Sequence, residues 1–137
     1  MQTYFADTWF WIAVVDRSDR DHKQAFALSM SIGPTDTVVT SEMVCTELLG
    51  YFCSDGPHLR AAAVALVDRL KRDLRIVVVE QSHLQFEQAL EKYRRFSDKD
   101  WSLTDCCSMV IMAERAIDTV LTNDRHFTQA GFSIRNT

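Results

Sequence analysis

The apolar residues change their period repeatedly along the chain, and each change marks the boundary of an element. Thr3–Ala6 is a short β-type run that ends at Asp7, and Thr8–Val15 follows as a helix that is apolar all round. Asp19–Ile32 reads as a second helix with Ala25, Phe26, Leu28 and Ile32 on its inner face, stopped by Gly33-Pro34. Thr37–Thr40 predicts a strand and Glu42–Cys53 a helix. After the Ser54-Asp55-Gly56 turn, Pro57 suits the first turn of a helix running to Arg72. Arg75–Val79 is a continuous apolar strand expected to be buried on both faces. Ser82-x-x-Gln85 resembles a capping box opening a helix to about Arg95. Leu103–Ala116 predicts a further helix, Asp118–Thr122 a strand, Asp124–Gln129 a short helix ended by Gly131, and Phe132–Ile134 a last edge strand.

Strands therefore alternate with helices, and the inner strands are short β-branched runs without polar alternation. That pattern belongs to an α/β fold whose parallel sheet is covered on both faces. Ligands of such folds bind outside the carboxyl ends of the strands, where the strand order reverses. With no internal repeat and no break in composition, residues 1–137 read as one domain. The 47% hydrophobic content excludes a disordered chain. A formal net charge of −4 excludes a strong global positive field, so any affinity for nucleic acid must be local. Cys45, Cys53, Cys106 and Cys107 show no C-x-x-C spacing and read as reduced core thiols. The N-terminus lacks a basic leader, and its longest apolar run, Trp9 to Val15, is too short to span a membrane. The expected location is the cytoplasm.

Four acids fall where such a site would be. Asp7 ends the first strand and Asp124 follows the fourth, so both map to one edge of the sheet. Glu47 interrupts an apolar helical stripe, and Asp105 lies on the same face as Met109 and Met112. Two carboxylates about 4 Å apart repel by roughly 4 kcal/mol at an effective dielectric near 20. No lysine or arginine lies close in sequence to Asp7, Glu47 or Asp105, so the economical counter-charge is a divalent cation. An all-oxygen ligand set suits Mg²⁺ or Mn²⁺. Each acid also has a plainer reading. Asp7 and Asp124 fit as helix N-caps, Ser102-x-x-Asp105 fits a capping box, and Glu47 has Tyr51 or Arg125 as candidate partners. Four independent caps would have no reason to converge on one sheet edge.

These residues resemble the PIN-domain ribonucleases, specifically the VapC-like toxins of bacterial toxin–antitoxin pairs. The resemblance is carried by FADTWFWIAVVD, VTSEMVCTELLGYF, FSDKDWSLTDCCSMVIMAERAI and DTVLTNDRHFTQAGF, in the family's order and spacing. It implies a PIN-like three-layer αβα sandwich with a mostly parallel central sheet. It also implies a Mg²⁺- or Mn²⁺-dependent endoribonuclease that leaves a 5′-phosphate and a 3′-hydroxyl. By position, Asp7, Glu47, Asp105 and Asp124 match the family's four catalytic, metal-binding acids. Thr122 matches a small hydroxyl residue that supports a ligating carboxylate. The implied partners are an RNA substrate, a cognate antitoxin protein with a segment that folds on binding, and a second copy in a homodimer.

Setting those four acids aside leaves fifteen residues of each sign, so the acidity is concentrated in one place. Arg125 and His126 lie beside the fourth acid, and Arg125 is a candidate either for a phosphate contact or for a structural salt bridge. Lys71, Arg72 and Arg75, or Lys92, Arg94, Arg95 and Lys99, are either RNA contacts or solvated helix faces. Asp98 and Asp100, upstream of the third acid, read either as a solvated polar loop or as an aid to positioning metal or substrate. Trp9, Phe10 and Trp11 are too many adjacent aromatics for one helix to hide against its own sheet, so a neighbouring helix or a partner must cover them. A receiver domain would need an acid pair where Asp7 is followed by Thr8, and an Asp-x-Asp phosphatase fails at Trp9. The remaining alternative is a non-catalytic PIN-fold protein-binding module, against which the intact acid set argues.

Overall fold

A computed structural model describes residues 1–137. The chain runs β1 (Thr3–Ala6), α1 (Thr8–Val15), α2 (His22–Ser31), β2 (Thr37–Ser41), α3 (Glu42–Tyr51), α4 (Pro57–Arg72) and β3 (Ile76–Val79). It continues through α5 (His83–Arg95), α6 (Leu103–Glu114), β4 (Thr119–Leu121), α7 (His126–Gln129) and β5 (Ser133–Arg135). The five strands form one sheet in the order β3-β2-β1-β4-β5, and every pairing is parallel. The expected mostly parallel sheet is thus wholly parallel, and helices complete a three-layer α/β sandwich.

The strand order places the site. From β1 the chain winds outward through β2 to β3, then returns to the other side of β1 for β4 and β5. The switch point lies between β1 and β4, where Phe5 pairs with Val120 and Ala6 with Leu121. Asp7 and Thr122 therefore emerge side by side at the carboxyl edge. Beneath them the core is dense: Phe5, Val120, Leu121, Leu48, Met112 and Phe127 are fully buried. Trp11, packed edge-on against Phe10, donates its indole N–H to Thr40 Oγ1 at 3.2 Å. Trp9 reaches the start of α2 and donates to Asp21 Oδ2 at 3.1 Å. Phe10 and Trp11 are thus buried within the chain, whereas Trp9 is half-buried.

Some sequence expectations need correction. The second helix begins at His22, not Asp19, because Asp16 and Asp19 bind the Ser18 and Asp21 amides and hold tight turns instead. Phe26 faces out at 54% exposure. β3 is not buried on both faces. It is an edge strand with β2 as its one neighbour, and Val77 is 37% exposed. A run of β-branched residues reports strand type and does not report rank within the sheet. The helix before β4 ends at Glu114, two residues short, and Ala116 takes a left-handed φ of 53° as the chain turns into β4. Ser82 caps α5 by accepting from the Gln85 amide, but the Gln85 side chain accepts from Cys107 on α6 rather than closing the box. Cys45, Cys106 and Cys107 are buried free thiols, whereas Cys53 is exposed. No helix is long and apolar enough to cross a membrane.

Candidate active site

A cavity of about 440 Å³ opens at the switch point, and its lining includes six acids: Asp7, Asp19, Glu47, Asp100, Asp105 and Asp124. No lysine or arginine lines it; the one side chain there that can carry positive charge is His126.

Asp7 sits between β1 and α1 and is 4% exposed. It occupies the N-cap position of α1, yet its side chain makes no capping hydrogen bond, so that plainer reading fails for it. Its Oδ2 instead accepts from the Thr122 hydroxyl at 3.1 Å across the switch point. Burial pushes its carboxyl up to about 7, and the nearby Asp105 and Glu47 carboxylates push the same way, against the Thr8 amide and the Thr122 hydroxyl.

Asp105 is held differently. It is N3 of α6 in a complete capping box: Ser102 Oγ accepts from the Asp105 amide, and Asp105 Oδ2 accepts from the Ser102 amide, both at 3.0 Å. The capping reading is therefore correct, and it also aims the carboxylate into the cavity. Desolvation raises its pKa, the Ser102 amide lowers it, the Asp124 charge raises it and His126 lowers it. Asp124 follows β4. Its amide donates to Thr122 Oγ1 at 3.0 Å and its Oδ1 accepts from the His126 amide at 2.9 Å. Thr122 thereby links the first and fourth acids through one hydroxyl.

Three placements differ from expectation. Glu47 lines the cavity, but it is exposed, not on a buried face. The buried residues of α3 are Met43, Val44, Cys45 and Leu48, whereas Glu47, like Gly50 and Tyr51, is exposed. Arg125 is exposed and does not line the cavity, because the turn into α7 points the next residue inward instead. That residue is His126, whose Nδ1 lies 3.1 Å from Asp105 Oδ2 and 3.2 Å from Asp124 Oδ1. Asp19 was not expected at the site; it enters through the turn before α2. His126 had a sequence signal in its position two residues after Asp124, whereas Asp19 had none.

The residues present fit a dication. Asp105, Asp124 and His126 each offer a ligand atom within 4.8 Å of the others. Buried Thr8 Oγ1, on the same cavity wall, has no hydrogen-bond partner. Two carboxylates and one imidazole, with the Asp7 and Glu47 carboxylates in the same cavity and no guanidinium, make an oxygen-rich donor set that suits Mn²⁺ or Mg²⁺.

An all-parallel three-layer sheet with clustered acids at its switch point defines a class, and comparison with known proteins names it. The PIN domain model matches residues 4–133, and the chain belongs to the PIN domain family. It is 34% identical over 131 residues to the 23S rRNA-specific endonuclease VapC20 of Mycobacterium tuberculosis, covering 93% of this chain and 94% of that one. The crystal structure of M. tuberculosis VapC20, described as a Sarcin-Ricin loop cleaving toxin, superposes with a TM-score of 0.86 at 28% identity. That match covers 98% of this chain and 99% of that one. The same fold appears in VapBC2 from Rickettsia felis, solved with a promoter DNA fragment, at a TM-score of 0.69 and 14% identity over 98% of both chains.

Proposed function

We propose that this chain is an endoribonuclease, the toxin of a toxin–antitoxin pair, and that it requires Mg²⁺ or Mn²⁺. The observation that carries this reading is the convergence of Asp7, Asp105 and Asp124, with Glu47 at the mouth, in a cavity lined by no lysine or arginine. The VapC20 likeness over nearly the whole length of both chains supports it, and makes 23S rRNA the first substrate to try. A non-catalytic binding module would have no use for acids held at such electrostatic cost.

Asp7, Asp105 and Asp124 would hold the ion, with Glu47 completing the set from the rim. When bound, a dication of this kind activates water and stabilises charge on a phosphodiester. The chain's own residues prepare that chemistry. Thr122 orients Asp7 by donating to one carboxylate oxygen. The capping box fixes Asp105, and His126 sits against the oxygens of Asp105 and Asp124. A carboxyl with a pKa of about 7, such as Asp7 in the free chain, gives up its proton when a cation arrives, so metal affinity rises with pH. The net reaction adds water across the P–O3′ bond, leaving a 5′-phosphate and a 3′-hydroxyl. The antitoxin is the expected protein partner.

The test is incubation of purified protein with ribosomal RNA and Mg²⁺ or Mn²⁺, with the cleaved ends mapped. Cleavage is expected to stop in EDTA and in Asp7→Asn and Asp105→Asn. Cleavage that persists in any of these contradicts the proposal.

A further inference from the structure

A second groove, about 640 Å³, adjoins the acid cavity, and Asp100 and Ser102 line both. Its volume lies in the roughly 300–1,000 Å³ range of small-molecule pockets. Its lining is less acidic than that of its neighbour: Asp100 is its one carboxylate, and Lys99 faces the same groove. Tyr93, near the end of α5, shows 51% of its surface, and Leu90 and Leu103 provide apolar walls. Lys99 supplies a cation; its Nζ lies 3.4 Å from Asp98 Oδ2. Asp98 is itself 74% exposed, so that pair is weak and open to exchange. Buried Trp101 keeps this wall rigid, donating to Gln129 Oε1 at 3.0 Å and packing on Phe96.

The acid cavity has no lysine or arginine in its lining, so beyond a bound dication and His126 it offers no positive charge to a strand's phosphates. The neighbouring phosphate of a bound strand needs a cation, and Lys99 is the one lysine or arginine lining either cavity. The base beside it needs an apolar face, which Tyr93 offers at low conformational cost. On the endoribonuclease reading above, we propose that the groove between Tyr93 and Lys99 is a nucleotide subsite, taking one unstacked base and its phosphate next to the scissile bond.

The probe is a fluorescein-labelled single-stranded RNA oligonucleotide containing all four bases, measured by anisotropy and by cleavage. Stacking of one base predicts that Tyr93→Ala raises Kd and KM by roughly 5- to 150-fold while kcat holds, and that Tyr93→Phe restores both. Lys99→Ala is expected to weaken binding and to reduce the salt slope by about one. An abasic nucleotide beside the cleaved bond should impair the wild type but add nothing to Tyr93→Ala. Wild-type binding and cleavage in both alanine variants would overturn the subsite and leave the nuclease reading standing. The Tyr93 pattern in Kd without any cleavage would keep the subsite and overturn the nuclease. No RNA binding by the wild type would overturn both.

Discussion

The two edges of one sheet treat their aspartates in opposite ways. At the amino edge, Asp36 precedes β2 and accepts from the Gly33 and Gln2 amides at 2.8 and 2.9 Å. Those amides hold its carboxyl below the ordinary range. Asp73, three residues before β3, is likewise lowered, first by the Arg75 side chain and then by the Arg75 amide. At the carboxyl edge, Asp7 and Asp105 are raised, chiefly by burial. The first pair is satisfied by donors the fold supplies. The second pair has donors that orient it and too few to neutralise it. Acids at the amino edge hold the chain in place; those at the carboxyl edge keep more negative charge than the chain's own donors offset.

Substitution should separate the edges sharply. Asp7→Asn or Asp105→Asn is expected to lower RNA cleavage by more than the roughly 10- to 100-fold that losing an outer partner of a metal ligand costs. Asp36→Asn should leave the cleavage rate unchanged and lower the melting temperature. Equal losses of activity at both edges would erase the distinction.

The pH dependence of stability sharpens it further. The folded chain keeps the Asp7 proton up to about pH 7, whereas the unfolded chain releases it near 3.8. Between those values the native state binds more protons, so metal-free stability falls as pH rises through this window. Asp7's share of the loss is on the order of a few kcal/mol and should disappear in Asp7→Asn, leaving the decline that Asp105, also raised, contributes in the same direction. The metal-free melting temperature of Asp7→Asn at pH 8 should exceed that of the wild type. Asp36 and Asp73 act in reverse: their contribution is present at neutral pH and lost as pH falls through their lowered values.

A smaller effect is expected at Thr122. Thr122→Val removes the donor to Asp7 and the acceptor for the Asp124 amide, and should lower cleavage by about tenfold or somewhat more. Thr122→Ser keeps the hydroxyl and should retain most activity. Steady-state kinetics on a defined RNA reads both.

The amino acid sequence makes the carboxyl edge largely legible. The strand ending at Asp7, the strand leading to Asp124 and the Ser102–Asp105 box are all local patterns, and parallel topology brings them together. Depth within the fold is less legible. Glu47 reads as buried from its helical neighbours, but the residues that α3 buries are Met43, Val44, Cys45 and Leu48, and Glu47 is left exposed. Val77 reads as interior, because β-branching is the same in an edge strand. Arg125 and His126 differ by one step, and only the dihedral angles at the start of α7 decide which enters the cavity. Asp19 arrives through a turn that no periodicity announces.

The central claim is that the carboxyl-edge acids require a dication. Isothermal titration of Mn²⁺ at pH 8 into the wild type, Asp36→Asn and the double variant Asp7→Asn/Asp105→Asn tests it most directly. Saturable binding in the first two proteins and none in the third is the predicted result. Undetectable binding to the wild type, or the same isotherm in all three, would contradict it.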